Sequence, residues 1–272
     1  YGLNDKLIEE AHEAGIDTIL TCDNGIAATE QIAYAKRLGM TVVVTDHHEV
    51  PYDMGPDGSR TERPPAADAI VDPKQKDCTY PYKGICGAVV AYKLMQIYLQ
   101  KMVQNPAGKV TAGKVEDILR ELLAFAAFAT VGDVMDLCGE NRIIVKEGLE
   151  MLGRTHNLGL RSLMECTKIE RERIRAYHIG FVLGPCMNAS GRLDTAKRAL
   201  KLLGAEDKRE ADILAQELKA LNDSRKEMTE EAVEQARELV ETTQAGGDKV
   251  LVLYLPQCHE SLAGIVAGRI RE

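Results

Sequence analysis

The feature that most constrains this chain is an alternation in its first 75 residues, where helix-period patterns give way to short apolar runs that end in an acid. Leu7, Ile8, Ala11 and Ala14 recur at the spacing of one helix face, and Gly15 follows. The run DTILTCD then reads as a buried strand closing on Asp23. A second helix is expected from about Ala27 to Leu38, and TVVVTDHH supplies a second strand rich in β-branched residues. Residues 51–65, dense in Pro, Gly and Asp, read as an exposed loop, and ADAIVDP as a third strand closed by Pro73. This order predicts an α/β fold built on a parallel sheet with right-handed crossovers.

In such a sheet, functional groups collect beyond the carboxyl ends of the strands. Asp23 ends the first strand and Asp46, His47 and His48 end the second, so all four are expected on one edge. Carboxylates with neutral imidazoles suit a divalent ion of intermediate hardness such as Mn²⁺. A carboxylate can also bridge two ions, and a pair about 3.5–4 Å apart can hold both the attacking and the leaving oxygen of a phosphate displacement. The plainer reading is that acids at strand ends cap helices or close turns, and two adjacent histidines alone carry little specificity. Asp133 weighs against it. It follows an alanine-rich apolar helix in ATVGDVMDL, where a charge is costly unless paired or bound to a metal. Asp136 reads as a cap or a surface residue.

The middle of the chain is helical in pattern: GAVVAYKLMQIYLQKM, then a polar loop over 106–114, then VEDILRELLAFAAFATVGDVM, then shorter helices over 141–152 and 158–166. YHIGFVLGPCMNASGRLDTA breaks the pattern and reads as a strand-like piece followed by a turn, with helix returning over 194–203. From about Glu206 one long charged helix is expected, with Leu214, Leu218, Leu221, Met228 and Ala232 on its apolar face. GGDKVLVLYLP then opens a new strand. The expected organisation is a first α/β domain over 1–205, a connecting helix over 206–245, and the start of a second α/β domain over 246–272.

Net charge is −8 over 272 residues, so no global basic field announces a polyanion, and any such substrate needs a local basic groove. Seven scattered cysteines without a CxxC pair suit the reduced thiols of a cytoplasmic protein. No apolar run approaches the roughly 18 residues of a membrane span, and no signal-peptide core is present.

TCDNGI, VVVTDHHE, FATVGDVMDL and NASGRL, in this order, resemble the motif blocks of the DHH phosphoesterase superfamily. Within it they are most similar to the RecJ-type single-stranded-DNA 5′→3′ exonucleases, over essentially the whole chain. The DHH triplet alone is a weak pattern; the ordered set, with GPCMNASGRL, is specific. The resemblance implies that Asp23 is shared between two metal ions and that His47 and Asp133 are further ligands. It implies that His48 faces the metal or the scissile phosphate, and that Asp46 orients the histidines from behind. Asn188 and Arg192 would contact the DNA backbone. HESLAGIVAGRI is similar to the opening of the DHH-associated substrate domain, where His259 and Gly264 would face the nucleotide; Ser261 stands where that family usually has Gly.

The implied cofactor is Mn²⁺ or Mg²⁺. The implied partner is single-stranded DNA, bound by a monomer that works without a membrane, with a single-strand-binding protein or a helicase as candidate companions in DNA repair and recombination. The family's opening DxDAD block has no match here, so the chain is expected to be a fragment that binds metal poorly and is inactive alone. Three alternatives stay open: a DHH-family oligoribonuclease or nucleotide phosphatase, a cyclic-dinucleotide phosphodiesterase, and, from another class, a non-catalytic DHH-fold replication scaffold. The presence of Asp23, His47, His48 and Asp133 argues against the scaffold. An inorganic pyrophosphatase fits less well, because the helical middle is long for that family.

Overall fold

A computed structural model describes residues 2–105, 110–243, 247 and 249–271. The chain divides into two compact units, Tyr1–Arg154 and Thr155–Glu272.

The first unit opens with α1 (Asp5–Glu13), capped by the Asn4 side chain, which accepts from the Leu7 amide. β1 (Thr18–Leu20), α2 (Thr29–Arg37), β2 (Thr41–Thr45) and, further on, β5 (Ala69–Val71) complete the expected alternation. The three strands form one parallel sheet in the order β1-β2-β5. Ile8 of α1 and Ile32 and Ala35 of α2 bury against Val42 and Val44 of β2, with Met40 beneath them. Alternation along β2 is what points Val42 and Val44 to the same face. Residues 51–65, expected as loop, hold a small antiparallel hairpin, β3 (Tyr52–Met54) with β4 (Arg60–Glu62). Its polar sequence hid it. What closes it is a turn in which the Gly55 amide donates to the Ser59 carbonyl, backed by the Arg60 guanidinium 4.5 Å over the Tyr52 ring.

Helices α3 (Gly87–Gln104), α4 (Ala112–Gly132) and α5 (Gly139–Arg154) finish this unit. Val89, Ala126, Ala127 and Ile144 form their shared core. Of the polar loop expected over 106–114, residues 106–109 lie outside the described ones, and α4 already begins at Ala112, with Thr111 as its cap.

The second unit is helical among its described residues: α6 (Leu158–Cys166), α7 (Ala176–His178), α8 (Gly184–Leu193), α9 (Lys197–Leu203), α10 (Lys208–Thr242) and α11 (Ala263–Arg271). The strand and turn expected in YHIGFVLGPCMNASGRL are instead one continuous helical run, in which a π-helical turn, Ile179–Leu183, joins α7 to α8. β-branched and aromatic residues followed by Gly-Pro imitate a strand and a turn. The wide turn resolves the conflict: the Gly184 amide reaches back five residues to the Ile179 carbonyl, and Pro185 falls in the first turn of α8, where its missing N–H is tolerated.

Asp207 caps α10, its side chain accepting from the Glu210 amide. The last positions of the helix expected over 206–245 lie outside the described residues. The strand expected in VLVLYL does not form over 251–255. Its alternation survives: Leu253 and Leu255 pack on Ala232, Val233 and Ala236, while Val252 and Tyr254 face water. A strand needs a neighbour to pair its N–H and C=O groups, and none of the described residues supplies one. Among the described residues, no helix is long and apolar enough to cross a membrane.

Candidate metal centre

Sheet register builds the site. β1 pairs with β2 as Leu20↔Val43, and β2 with β5 as Thr45↔Val71. Extending those offsets sets Asp23 level with Asp46, and Asp46 level with Asp72. Backbone hydrogen bonds carry the ladder that far: the Asp23 amide donates to the Thr45 carbonyl at 3.0 Å, and the Asp46 amide to the Val71 carbonyl at 3.1 Å. Three acids therefore arrive at one edge, one from each strand.

The loop after β1 turns sharply to present the first of them. Asp23 has φ +63° and Gly25 φ +113°, both in the left-handed half of backbone space. At Gly25 that is inexpensive; at Asp23 it is a strained conformation held by its surroundings. The loop is pinned by Ile26, whose side chain is buried and whose amide donates to Asp46 Oδ2 at 2.9 Å. On the other side, the start of α3 closes on Asp23. A Cβ on Gly87 would lie 2.4 Å from Asp23 Oδ1 and 2.7 Å from its Cα, so only glycine fits there.

Asp46 is buried and works as a bracket. Its Oδ1 accepts from the amides of His47, at 2.8 Å, and His48, at 3.3 Å, and stands 2.7 Å from His48 Nδ1. Burial opposes its ionisation, but the bonds from the Ile26 amide, the His48 ring and the two histidine amides prevail and hold its pKa below the usual carboxylate range. An ionised Asp46 can only accept, so His48 Nδ1 carries a proton, and in the neutral ring Nε2 holds the lone pair.

His47 lies at the centre. Its Nε2 is 3.0 Å from Asp23 Oδ1 and 3.5 Å from Asp133 Oδ2. Both ring nitrogens are nonetheless buried without an aligned hydrogen bond. The short distance to Asp23 is thus an electrostatic approach rather than a well-directed bond. Asp23 is the main reason the imidazole pKa is raised; desolvation opposes it, and the charges of Asp133 and Asp46 add to the rise. Asp133 reaches this point because it is the C-terminal cap of α4, its amide bonded to the Ala129 carbonyl at 2.8 Å.

Asp23, His47 and His48 can each offer a ligand atom within 4.8 Å of the others. Two half-exposed carboxylates and a buried imidazole whose nitrogens lack aligned partners form a donor set suited to a divalent cation of the Mn²⁺ or Mg²⁺ kind. A cleft of about 530 Å³, lined by Asp23, Asn24, Gly25, Asp46 and His48 among others, opens beside it. The larger groove, about 820 Å³, belongs to the second unit; its apolar lining includes Leu253, Leu255 and Val266, and it holds none of these groups.

Asp72 is the neighbour that sequence reasoning missed. It is 2% exposed, its Oδ1 accepts from the Lys74 amide at 2.8 Å, and its Oδ2 has no partner. Burial, followed by the charge of Asp46, raises its pKa despite the Lys74 amide bond and the nearby His47. The signal was available, since the third strand ends in an acid as the first two do. Asn141 was also missed: it is fully buried, and its Nδ2 donates to the Gly84 and Asp136 carbonyls, tying the segment before α3 to the loop after Asp133.

The remaining residues named from sequence lie in the second unit. Arg192 Nη1 donates to the Ser261 carbonyl at 2.9 Å, and Ser261 Oγ is 2.7 Å from His259 Nδ1, so these three meet. Asn188 is exposed on α8. Gly264 is exposed on α11 with open space where a Cβ would stand.

A parallel α/β sheet here gathers acids and histidines at its carboxyl edge, and residues 3–130 match the model of the DHH family, N-terminal domain. The match places a DHH-family N-terminal domain in residues 3–130, just under half of the chain. Its relatives include the single-stranded-DNA-specific exonucleases RecJ of Escherichia coli K12, 35% identical over 100% of this chain and 46% of that protein, and of Bacillus subtilis 168, 37% identical over 99% of this chain and 31% of that protein. Among solved structures, an exonuclease RecJ bound to manganese superposes with a TM-score of 0.78 at 31% identity, covering 99% of this chain and 62% of that one. RecJ from Thermus thermophilus in complex with Mn²⁺ gives 0.75 at 30% identity, covering 98% and 36%. The chain thus spans less than half the length of these curated relatives.

Proposed function

We propose that this chain carries the metal-binding core of a single-stranded-DNA 5′→3′ exonuclease that hydrolyses phosphodiester bonds with Mn²⁺ or Mg²⁺. The observation that carries the reading is the convergence of Asp23, His47 and Asp133 on one point around a buried imidazole without aligned hydrogen bonds. Asp23, His47 and Asp133 are the proposed ligands. When bound, the divalent ion supplies Lewis acidity toward the phosphate and activates water at neutral pH. The chain's own groups do the rest. Asp46 fixes the His47 and His48 backbone and the His48 tautomer. His48 Nε2, beside the cleft, can take a proton from the attacking water when the ring is neutral, or donate to the scissile phosphate when Nε2 is protonated. Arg192, joined to the His259–Ser261 turn, offers a guanidinium fork to the DNA backbone, with Asn188 on the same helix.

The relatives named RecJ favour this reading over a dinucleotide phosphatase or cyclic-dinucleotide phosphodiesterase. Because the chain spans only part of those proteins, we propose that it turns over slowly or not at all by itself. The test is an assay at the relatives' full length, in Mn²⁺, on 5′-labelled single-stranded DNA, linear dinucleotides and cyclic dinucleotides. The reading expects digestion of single-stranded DNA from the 5′ end, and a loss of several orders of magnitude in His47→Ala. Preference for either dinucleotide, or activity indifferent to His47→Ala, would overturn it.

A further inference from the structure

We propose that Tyr177 and Phe181 form a stacking platform for the bases of a single-stranded nucleic acid, on the same exposed helix face as Asn188 and Arg192. The inference rests on the single-strand function proposed above and adds a place where bases, rather than phosphates, are held. Tyr177 is 62% exposed and Phe181 69%. Their rings stack on one another with centroids 5.0 Å apart and planes 25° apart. Of the chain's three phenylalanines, Phe181 alone is exposed. Scattered surface aromatics are unremarkable, but a preformed stack one helical turn apart presents a flat apolar face to water.

The platform is anchored. Ile179 and Leu183, within the π-helical turn, are fully buried, and the Arg175 amide donates to His178 Nδ1 at 3.1 Å. π-helical turns inside helices are frequent at functional sites. Charge favours a polyanion over an apolar protein surface. Between Lys168 and His178 stand Lys168, Arg171, Arg173 and Arg175 against Glu170 and Glu172, in a chain of net charge −8. Arg173 pairs with Glu170, whereas Arg175 has no carboxylate partner among the described residues. Along the same run the exposed positions continue through Asn188 to Arg192, while Cys186, Ala189 and Ser190 are buried. At helical rise, Phe181 and Arg192 are separated by about 16 Å along the axis, so one strand can stack at one end and meet the guanidinium at the other. Base–aromatic stacking tolerates any sequence and contributes on the order of 1–3 kcal/mol per base.

The chain contains no Trp, so Phe181→Trp places a single indole in the platform. In metal-free buffer, its fluorescence is expected to be quenched by oligothymidylate and not by an abasic strand of equal length and charge. Tyr177→Ala with Phe181→Ala should weaken oligothymidylate binding roughly 5- to 150-fold, leave abasic-strand binding unchanged, and preserve the circular dichroism spectrum. Oligothymidylate binding without quenching, and unaffected by the double variant, would overturn the platform and leave the function reading standing. Failure of the chain to bind either strand would overturn the platform, while the function reading stands or falls on the full-length assay above. Self-association that the double variant abolishes, with DNA affinity unchanged, would assign the rings to a protein contact instead.

Discussion

Replacing Gly87 by alanine tests whether close packing of α3 on Asp23 positions the proposed metal centre. The added Cβ would stand 2.4 Å from Asp23 Oδ1, 2.6 Å from its Cβ and 2.7 Å from its Cα. Carbon–carbon contacts relax only near 3.5–4.0 Å, so one of the two segments must retreat by about 1 Å. Because two of those atoms lie at the root of Asp23, rotating its side chain does not relieve the clash. Overpacking of this kind costs about 1–3 kcal/mol, and each kcal/mol lowers Tm by roughly 2–4 °C in a chain of this size. The local effect is sharper. A 1 Å displacement takes Asp23 Oδ1 from 3.0 Å to about 4 Å from His47 Nε2, and metal–ligand distances tolerate only about 0.2 Å. Gly87→Ala is therefore expected to lower the His47 pKa toward its ordinary value, read by NMR titration of the metal-free chain. It is also expected to weaken Mn²⁺ binding at least 10-fold, read by titration calorimetry or paramagnetic broadening. A Gly87→Ala protein that loses stability yet keeps the wild-type His47 titration and Mn²⁺ affinity would refute the reasoning, because the helix would then be a packing partner without hold on the carboxylate.

The His47 pKa is raised on folding, so in metal-free protein its stabilisation is present below about pH 6.5 and is lost as pH rises through the folded value; Tm against pH should show this fall in wild type and not in His47→Gln. Mn²⁺ needs the neutral ring, so its affinity should climb over the same window, opposite in sign. Asp46 has a lowered pKa, so its contribution is present above about pH 4 and disappears as pH falls through the folded value. Asp46→Ala leaves the Ile26 and His47 amides without their acceptor and should cost about 1–3 kcal/mol in urea unfolding at pH 7. Asp72→Asn keeps the acceptor for the Lys74 amide and removes a buried charge whose pKa is raised; it should increase Tm at pH 7, with the gain shrinking at acid pH where Asp72 is itself protonated, and an unchanged Tm at both would show that the charge is already compensated.

Much of the first unit was legible because its signals are local. β-branched runs ending in acids announced parallel strands, and Asp23, Asp46, His47 and His48 could be placed on one edge from chain direction alone. The motif order from TCDNGI to NASGRL carried the family. Local signals failed where composition imitates another structure. VLVLYL alternates like a strand but has no described partner, and YHIGFVLGP looks like strand and turn until a widened helical turn accommodates its proline. Pairing and turn width depend on groups elsewhere in the chain, which periodicity does not record.

What the sequence by itself determined is the set of chemical groups and the strand ends that bear them. What only the tertiary structure decided is their register and their spacing: that Asp72 is the third acid in line, that Asp133 comes round to within 3.5 Å of His47, and that Gly87 closes on the back of Asp23. The physical reason is that a strand's direction follows from its own residues. A distance between side chains about ninety positions apart is set by how helices α3 and α4 pack, a property of the whole unit.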